Sequence, residues 1–247
     1  MSRRAPCWIW LTLCAAGCGL APEHPVDSEV LAYRDSRDEV LQLETELASD
    51  DFEARWRLAS ACLDLVDQPG SPADDQLDWA KRALHHADKL IALDPDRVEG
   101  HYYRAIALGR ILERSPLAPE SKISELEAEG VRARELDPAF GCAGPLRLLG
   151  LLYLKAPPWP LGPELAGEED VITALFEEGL RYHPECPALR ADFAEALTEL
   201  DRPEEALVQA RRAQQLLAAG KVSPRLADWE IAKLSRKIRA LLEALEG

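Results

Sequence analysis

The feature that most constrains this chain is a recurring ending, in which a helical pattern stops at a proline. It occurs at Leu93-Asp94-Pro95, at Leu136-Asp137-Pro138 and at Tyr182-His183-Pro184, and each time another helical pattern follows soon afterwards. Proline ends a helix because its ring clashes with the preceding turn and it has no amide proton to donate. Repetition of this kind is typical of chains that stack short helical units, each of which buries its apolar face against its neighbours.

Small residues also occur at a fixed spacing inside these units. The clearest example is Pro203-Glu204-Glu205-Ala206 followed by Ala210 and Ala213. Comparable spacings are found at Leu58-Ala59 with Cys62, Leu149-Gly150 with Tyr153, and Phe193-Ala194 with Leu197. These positions resemble those of the tetratricopeptide repeat (TPR), in which small residues let paired helices approach closely. We predict an all-α fold, a TPR-type α-solenoid; a generic helical bundle is the alternative.

The predicted solenoid has about four helical hairpins and a capping helix at each end. The hairpins are expected to cover residues 53–95, 98–138, 144–184 and 187–218, after a first helix over residues 29–48. A closing helix is expected over residues 226–245, where apolar residues recur at helical spacing. This helix either caps the last repeat or makes a subunit contact, so the sequence allows both a monomer and an oligomer. All of these elements belong to one predicted repeat domain, residues 29–247.

Residues 1–17 are predicted to be an export signal. Arg3 and Arg4 precede an apolar stretch that is too short to span a bilayer, which takes about twenty residues. The small residues before Cys18 resemble a bacterial lipoprotein signal, in which that cysteine is lipidated and becomes the new N-terminus. Residues 18–28 would then be the lipidated cysteine and a tether. An ordinary signal peptide cleaved nearby is the alternative.

This interpretation places the protein in the bacterial cell envelope. The body would face the periplasm and be held to a membrane by lipid, and Gly19 after the cysteine favours the outer membrane by resemblance to enterobacterial sorting. Lys and Arg number 29 against 44 Asp and Glu, a net charge of −15. Such an acidic body repels a phosphate backbone, so no nucleic-acid partner is expected.

No catalytic motif is found. The sequence has no Gly-x-Ser-x-Gly elbow, no phosphate-binding glycine-rich loop with lysine, and no His-Glu-x-x-His. His85 and His86 are consecutive on a predicted helix, so their side chains point about 100° apart and suit a shared metal poorly. The chain is therefore predicted not to be an enzyme and to have no metal or cofactor.

The three cysteines of the repeat domain differ in their surroundings. Cys62 lies in an apolar helical pattern and is interpreted as a core residue. Cys142 and Cys186 each fall in a loop just ahead of a helix, in successive repeats. An exported protein meets an oxidising environment, so these two could form a disulfide, but the sequence does not decide the point.

Three segments have a distinctive order along the chain: residues 52–59 (Phe-Glu-Ala-Arg-Trp-Arg-Leu-Ala), residues 100–103 (Gly-His-Tyr-Tyr) and residues 144–162, which include Ala-Pro-Pro-Trp-Pro at 156–160. Together they resemble the T component of TRAP transporters, a family of TPR lipoproteins. The same layout occurs in the eukaryotic regulator of microtubule dynamics proteins, so the fold does not fix one task. The resemblance implies a periplasmic accessory that works beside a solute-binding protein.

A curved solenoid offers an inner surface lined by the first helix of each pair. Aligning the repeats places most of the predicted binding residues there, and a proline-rich loop adds a further one. They are Trp56, Tyr102, Ile106, Arg110, Arg147, Leu151, Lys155 and, in the loop, Trp159. Aromatic faces supply apolar area, and arginine holds a carboxylate through two hydrogen bonds. Three converging cations predict a local positive field, which suits an organic acid or a C-terminal carboxylate.

The same residues have a structural interpretation. Trp56 and Tyr102 would be core between repeats, Arg147 would pair with a neighbouring acid, and Trp159 would fold back over the third hairpin. Three functions stay open: a transport accessory that binds a small solute, a protein-interaction scaffold of the cell envelope, and an undetected enzyme. A closed cavity behind Trp56, Tyr102 and Arg147 would favour the first, an open groove for a peptide or helix the second, and a groove carboxylate or histidine with a strongly perturbed pKa the third.

Overall fold

The structure is a computed structural model that describes residues 25–48, 50–114, 121–157, 162–223 and 226–246. Within these ranges the chain forms ten helices and no strand. The helices are α1 (Pro25–Glu46), α2 (Phe52–Asp67), α3 (Ala73–Leu93), α4 (Val98–Arg114), α5 (Ser121–Leu136), α6 (Phe140–Lys155), α7 (Glu169–Tyr182), α8 (Pro187–Glu199), α9 (Pro203–Ala218) and α10 (Asp228–Glu246). The all-α prediction is confirmed. None of the described helices combines the length and hydropathy needed to cross a bilayer.

Four antiparallel hairpins form the body of the molecule. They are α2 with α3, α4 with α5, α6 with α7, and α8 with α9, which agree with the four predicted pairs. Some helices cross closely because the residue at the crossing is a glycine. A Cβ on Gly150 of α6 would lie 2.7 Å from the Phe176 ring of α7. The repeated small residues therefore act as predicted, by letting helix axes approach.

Helix α6 begins with an unusual turn. Gly141, Cys142 and Ala143 have φ angles of 57°, 63° and 56°, in the left-handed region. Residues with a Cβ pay roughly 1–2 kcal/mol for that conformation. Regular helix starts only at Gly144, as predicted, and Pro145 therefore lies in a first turn, where its missing amide proton is not needed.

A disulfide holds this turn against the next repeat. Cys142 is bonded to Cys186, whose Cα atom is 6.5 Å away, so the open question about this pair is answered by the structure. Cys186 is also the N-cap of α8, where its sulfur accepts a hydrogen bond from the Leu189 amide at 3.4 Å. A ring nitrogen of His183 lies 2.7 Å from the Ala139 carbonyl oxygen beside the same turn. The third and fourth hairpins are thereby joined covalently.

The two terminal helices pack differently. Helix α1 is tied to α3 by a buried chain of hydrogen bonds, in which the Trp79 indole donates to the Tyr33 hydroxyl and that hydroxyl donates to Asp75, each at 2.8 Å. Helix α10 packs on α8 and α9 through Ile238 and Leu242, which meet a surface of buried alanines. The predicted closing helix thus covers the last hairpin.

Removing the disulfide is expected to destabilise the chain. The bond spans a sequence separation of 44 residues, and closing a loop of that size in the unfolded chain corresponds to roughly 4 kcal/mol. The Cys142→Ser/Cys186→Ser variant should lose about 3–4 kcal/mol of unfolding free energy in chemical denaturation. Reductant should bring the unmodified chain to the same midpoint and leave the variant unchanged. Equal midpoints for both chains without reductant would contradict the disulfide's role.

Gly144→Ala is expected to destabilise the packing of the second repeat on the third. The new Cβ would lie 2.5 Å from the Tyr102 hydroxyl oxygen and 2.6 Å from its ring carbon, so the ring or α6 must shift. Overpacking of this kind costs about 1–3 kcal/mol, which thermal or denaturant unfolding would show. Gly109→Ala is the matched control, because its Cβ meets only Leu126 at 3.4 Å and should be neutral or slightly stabilising.

Candidate functional site

The first helices of the four hairpins lie side by side. Helix α2 contacts α4, α4 contacts α6, and α6 contacts α8, so one continuous surface runs through all four repeats. We call this surface, made of α2, α4, α6 and α8, the inner face. It carries seven of the eight binding residues predicted from the sequence, and the question is what each of them contacts.

The aromatic residues of the inner face are largely engaged in packing. Trp56 is half-buried, stacks on Tyr103 with ring centres 6.1 Å apart, and donates its indole N–H to Glu53 at 2.8 Å. Tyr102 meets Phe140 edge-on at 5.3 Å and lies against Gly144. Burial raises the pKa of Tyr102, although Arg147 acts in the opposite direction.

The two aliphatic residues are also partly buried. Ile106 packs against the core formed by α1 to α4, and Leu151 against the core formed by α6 to α9. Together with the aromatic contacts, this favours the structural interpretation of the apolar positions. Their role in binding a ligand stays a prediction.

Each predicted cation already has a carboxylate partner. Arg110 donates to Asp67 at 2.6 Å, and Lys155 donates to Glu195 at 2.5 Å. Arg147 donates through both Nε and Nη2 to one oxygen of Asp192, at 2.8 and 2.6 Å. The positive field expected from the sequence is therefore neutralised, and a small organic acid would have to displace a protein carboxylate to reach Arg147.

Asp192 is the central acid of this network. Only 7% of its surface is exposed, and its second oxygen accepts a hydrogen bond from Lys237 of α10 at 2.6 Å. Burial opposes ionisation of Asp192, but the Arg147 and Lys237 cations outweigh it and hold the pKa of this carboxyl below its usual range. A buried charge with two cationic partners fixes α6, α8 and α10 relative to one another.

Helix α10 reaches both ends of the inner face. Lys237 bridges Asp192 and Glu195 of α8, and Lys233, one turn earlier, donates to Asp67 of α2 at 3.1 Å. Residues four apart lie on the same side of a helix, so the two lysines present one basic edge to the acids of the face. The amphipathic helix α10 thus packs on α8 and α9 and reaches α2 through the Lys233 side chain.

Asp64 has the most strongly raised carboxyl pKa among the described residues of the inner face. Its pKa is raised to about 7, first by loss of hydration and then by the nearby Glu230 and Asp67, with Lys233 opposing. Loss of hydration is the larger cause of this shift, and the acids crowded near Asp64 add to it. A groove carboxylate with a perturbed pKa is the feature expected of an undetected enzyme, so that alternative stays open.

Two predicted positions fall outside the described residues, and two surface depressions lie away from the predicted binding residues. Trp159 and Cys18 are outside the described residues, so their roles stay predictions. Two depressions, of about 450 and 240 Å³, lie beside α1 and α3 and are lined by residues such as Arg82 and Asp78. Neither borders Trp56, Tyr102 or Arg147, where a solute cavity was expected.

Sequence reasoning missed four partners of the inner face: Asp67, Asp192, Lys233 and Lys237. One signal was available, because Lys233 and Lys237 share a side of an amphipathic helix that also has apolar residues at helical spacing. Asp192 is the one charged residue among the buried residues of α8, which indicates a charge with an assigned partner. Neither signal names the partner.

Comparison with solved structures supports the fold. The crystal structure of TTC0263, a TPR protein of Thermus thermophilus, is similar with a TM-score of 0.58 and 20% identity, over 87% of this chain and 97% of that one. MamA is similar with a TM-score of 0.46 and 17% identity over 79% of this chain and 91% of that one, and yeast Tom70 with 0.38 and 19% over 83% and 47%. No family model and no curated protein matches the sequence. The chain is an all-α solenoid of the TPR type.

Proposed function

We propose that this chain is a protein-interaction module whose inner face binds an amphipathic helix with a basic edge. The observation that carries the proposal is α10, whose Lys233 and Lys237 pair with Asp67, Asp192 and Glu195. A TPR-type fold suits this task because stacked hairpins present an extended surface rather than a closed pocket. Helix-in-groove binding also uses the apolar anchors and flanking charges that α10 has.

The chemistry of the face favours a helix over a small acid. Arg147 and Lys155 already contact carboxylates, and the Asp192 carboxyl is ionised in the fold. The groups that a partner segment would have to pair with are anionic. Asp67, Asp192 and Glu195 each accept a hydrogen bond from a lysine of α10, which the partner would replace. A partner helix would place two lysines one turn apart, followed by apolar residues equivalent to Ile238 and Leu242.

Reversing the charge of both lysines is expected to open the face. In the full-chain Lys233→Glu/Lys237→Glu variant, like charges meet Asp67 and Asp192, so α10 should lose protection from hydrogen–deuterium exchange while α2 to α9 keep theirs. A fluorescent peptide with the natural sequence of residues 228–246 should then bind this variant with 1:1 saturation. It should not bind the unmodified chain, whose own α10 occupies the face.

The matched control is Arg236→Glu/Arg239→Glu, which makes the same charge change at exposed positions of the same helix. It should leave α10 protected and the peptide unbound. A peptide that carries both Lys→Glu changes should bind none of the chains. If the opened variant stays folded and takes no natural peptide, the helix-binding proposal is wrong; a small ligand retained in native mass spectrometry and lost in Arg147→Ala would favour solute binding.

We further propose that the protein is an envelope lipoprotein, anchored at Cys18 with its body in the periplasm. The support is the sequence alone: the export signal over residues 1–17 and the small residues before the cysteine. Lipoprotein processing normally supplies three acyl chains, and two or more hold a protein stably on a membrane. The outer membrane is the favoured location.

Replacing the cysteine tests the anchor. In a bacterial host that processes lipoproteins, the unmodified chain should sediment with membranes and incorporate labelled palmitate. Cys18→Ser should lose the label and move to the soluble envelope fraction or stay unprocessed. Cys14→Ser is the control and should keep both properties, because it lies within the predicted signal. Palmitate labelling that survives Cys18→Ser would contradict the assignment.

A narrower proposal is an accessory role in a TRAP-type transport system. Its support is the resemblance of residues 144–162 and the shorter segments before them to the T component. The partner would then be a periplasmic solute-binding protein, with a small-molecule ligand as a further candidate. If that protein carries a helix with the lysine spacing of α10, the helix would be the segment that binds the inner face.

A further inference from the structure

Outside the inner face, three side chains of metal-binding types meet between the first three helices. Glu44 of α1, Cys62 of α2 and His86 of α3 each have a donor atom within 4.8 Å of the other two. Cys62 is fully buried, and only 6% of the His86 surface is exposed. The three residues are far apart in sequence, so they do not form a recognisable metal-ligand spacing motif. From the sequence, Cys62 was interpreted as a core residue.

The two ring nitrogens of His86 face different ways. The Nε2 atom lies 3.0 Å from a Glu44 oxygen, whereas Nδ1, across the ring, is buried and has no hydrogen-bond partner within the described part of the chain. Nε2 is therefore the nitrogen that faces the Glu44 carboxylate. Burial lowers the pKa of His86, although Glu44 opposes this, and a neutral imidazole is the form that ligates a metal.

The carboxylate of Glu44 is oriented by a neighbour. Arg82 donates to one of its oxygens at 2.6 Å and leaves the other on the His86 side. Hydrogen bonds of this outer kind are typical of carboxylate ligands. The positive charges of Arg82 and of Arg55, which also acts electrostatically on His86, make binding weaker than in a site with acids alone.

An ion can reach the cluster from solvent. The depression of about 450 Å³ beside α3 is lined by Glu44 and His86 and by the exposed His85. Water in this depression could complete the coordination of a bound ion. Cys62, in contrast, is fully buried and does not line the depression. Burial raises the pKa of its thiol.

We propose that Glu44, Cys62 and His86 bind a divalent ion of the zinc type, with water in the remaining position. Sulfur, imidazole nitrogen and carboxylate oxygen are the ligands zinc takes, and a tetrahedral ion places its donors roughly 3.4–3.7 Å apart. The donor atoms now lie within 4.8 Å of one another, so binding requires the side chains to close in by up to about 1 Å. On binding, the ion replaces the Cys62 thiol proton, which passes to solvent, and α1 becomes fastened to the first hairpin.

Co²⁺ is the probe that tests this site. Titrated into the untagged, metal-free full chain, it should give a thiolate-to-cobalt charge-transfer band and four-coordinate d–d bands that saturate at one equivalent. Cys62→Ala should lose the charge-transfer band, and Glu44→Gln should weaken binding about tenfold or more. Zn²⁺ should displace the cobalt and raise the thermal midpoint of the unmodified chain.

His85→Ala is the matched control, since it removes an adjacent, exposed imidazole and should keep the cobalt band. Circular dichroism checks that each variant is folded, and Glu44→Gln, at a partly exposed position, keeps the test valid if Cys62→Ala unfolds. No charge-transfer band at one equivalent of Co²⁺, or the same affinity in Glu44→Gln as in the unmodified chain, would overturn the proposal.

Discussion

The buried carboxylate of Asp192 is the interaction on which the rest of this structure depends. Arg147 of α6 and Lys237 of α10 both donate to it, so three helices share one charge. A buried acid left without any cationic partner is strongly destabilising, commonly by about 3–5 kcal/mol. Asp192 keeps Arg147 when α10 leaves, but it loses Lys237, so the face favours a segment that brings a cation to the same place. That preference selects the kind of segment the face accepts.

Much of the architecture follows from local signals in the sequence. The prolines at 95, 138 and 184 end helices, and small residues at fixed spacing set the crossings, so all four hairpins could be located. The left-handed turn before Gly144 was beyond such reasoning. It depends on Cys186 and on α8, which lie a whole repeat away along the chain.

The candidate site shows where sequence reasoning ends. Register along the repeats placed Arg110, Arg147 and Lys155 on one face, because helical periodicity is a local property. The charge pairs of this face join different repeats. Asp192 is 45 residues from its partner Arg147, and Lys233 is 166 residues from its partner Asp67. Charge pairing over such separations is decided by the curvature of the stack. The cluster of Glu44, Cys62 and His86 was hidden for the same reason.

The pair between Lys233 and Asp67 has a consequence for how the molecule comes apart. In an open array of repeats, each unit is coupled only to its neighbours, so an end can fray while the middle stays intact. Here α10 packs on the last hairpin, and its exposed Lys233 side chain reaches Asp67 of the first hairpin. This ion pair gives the two ends of the array a direct electrostatic link, which salt should weaken.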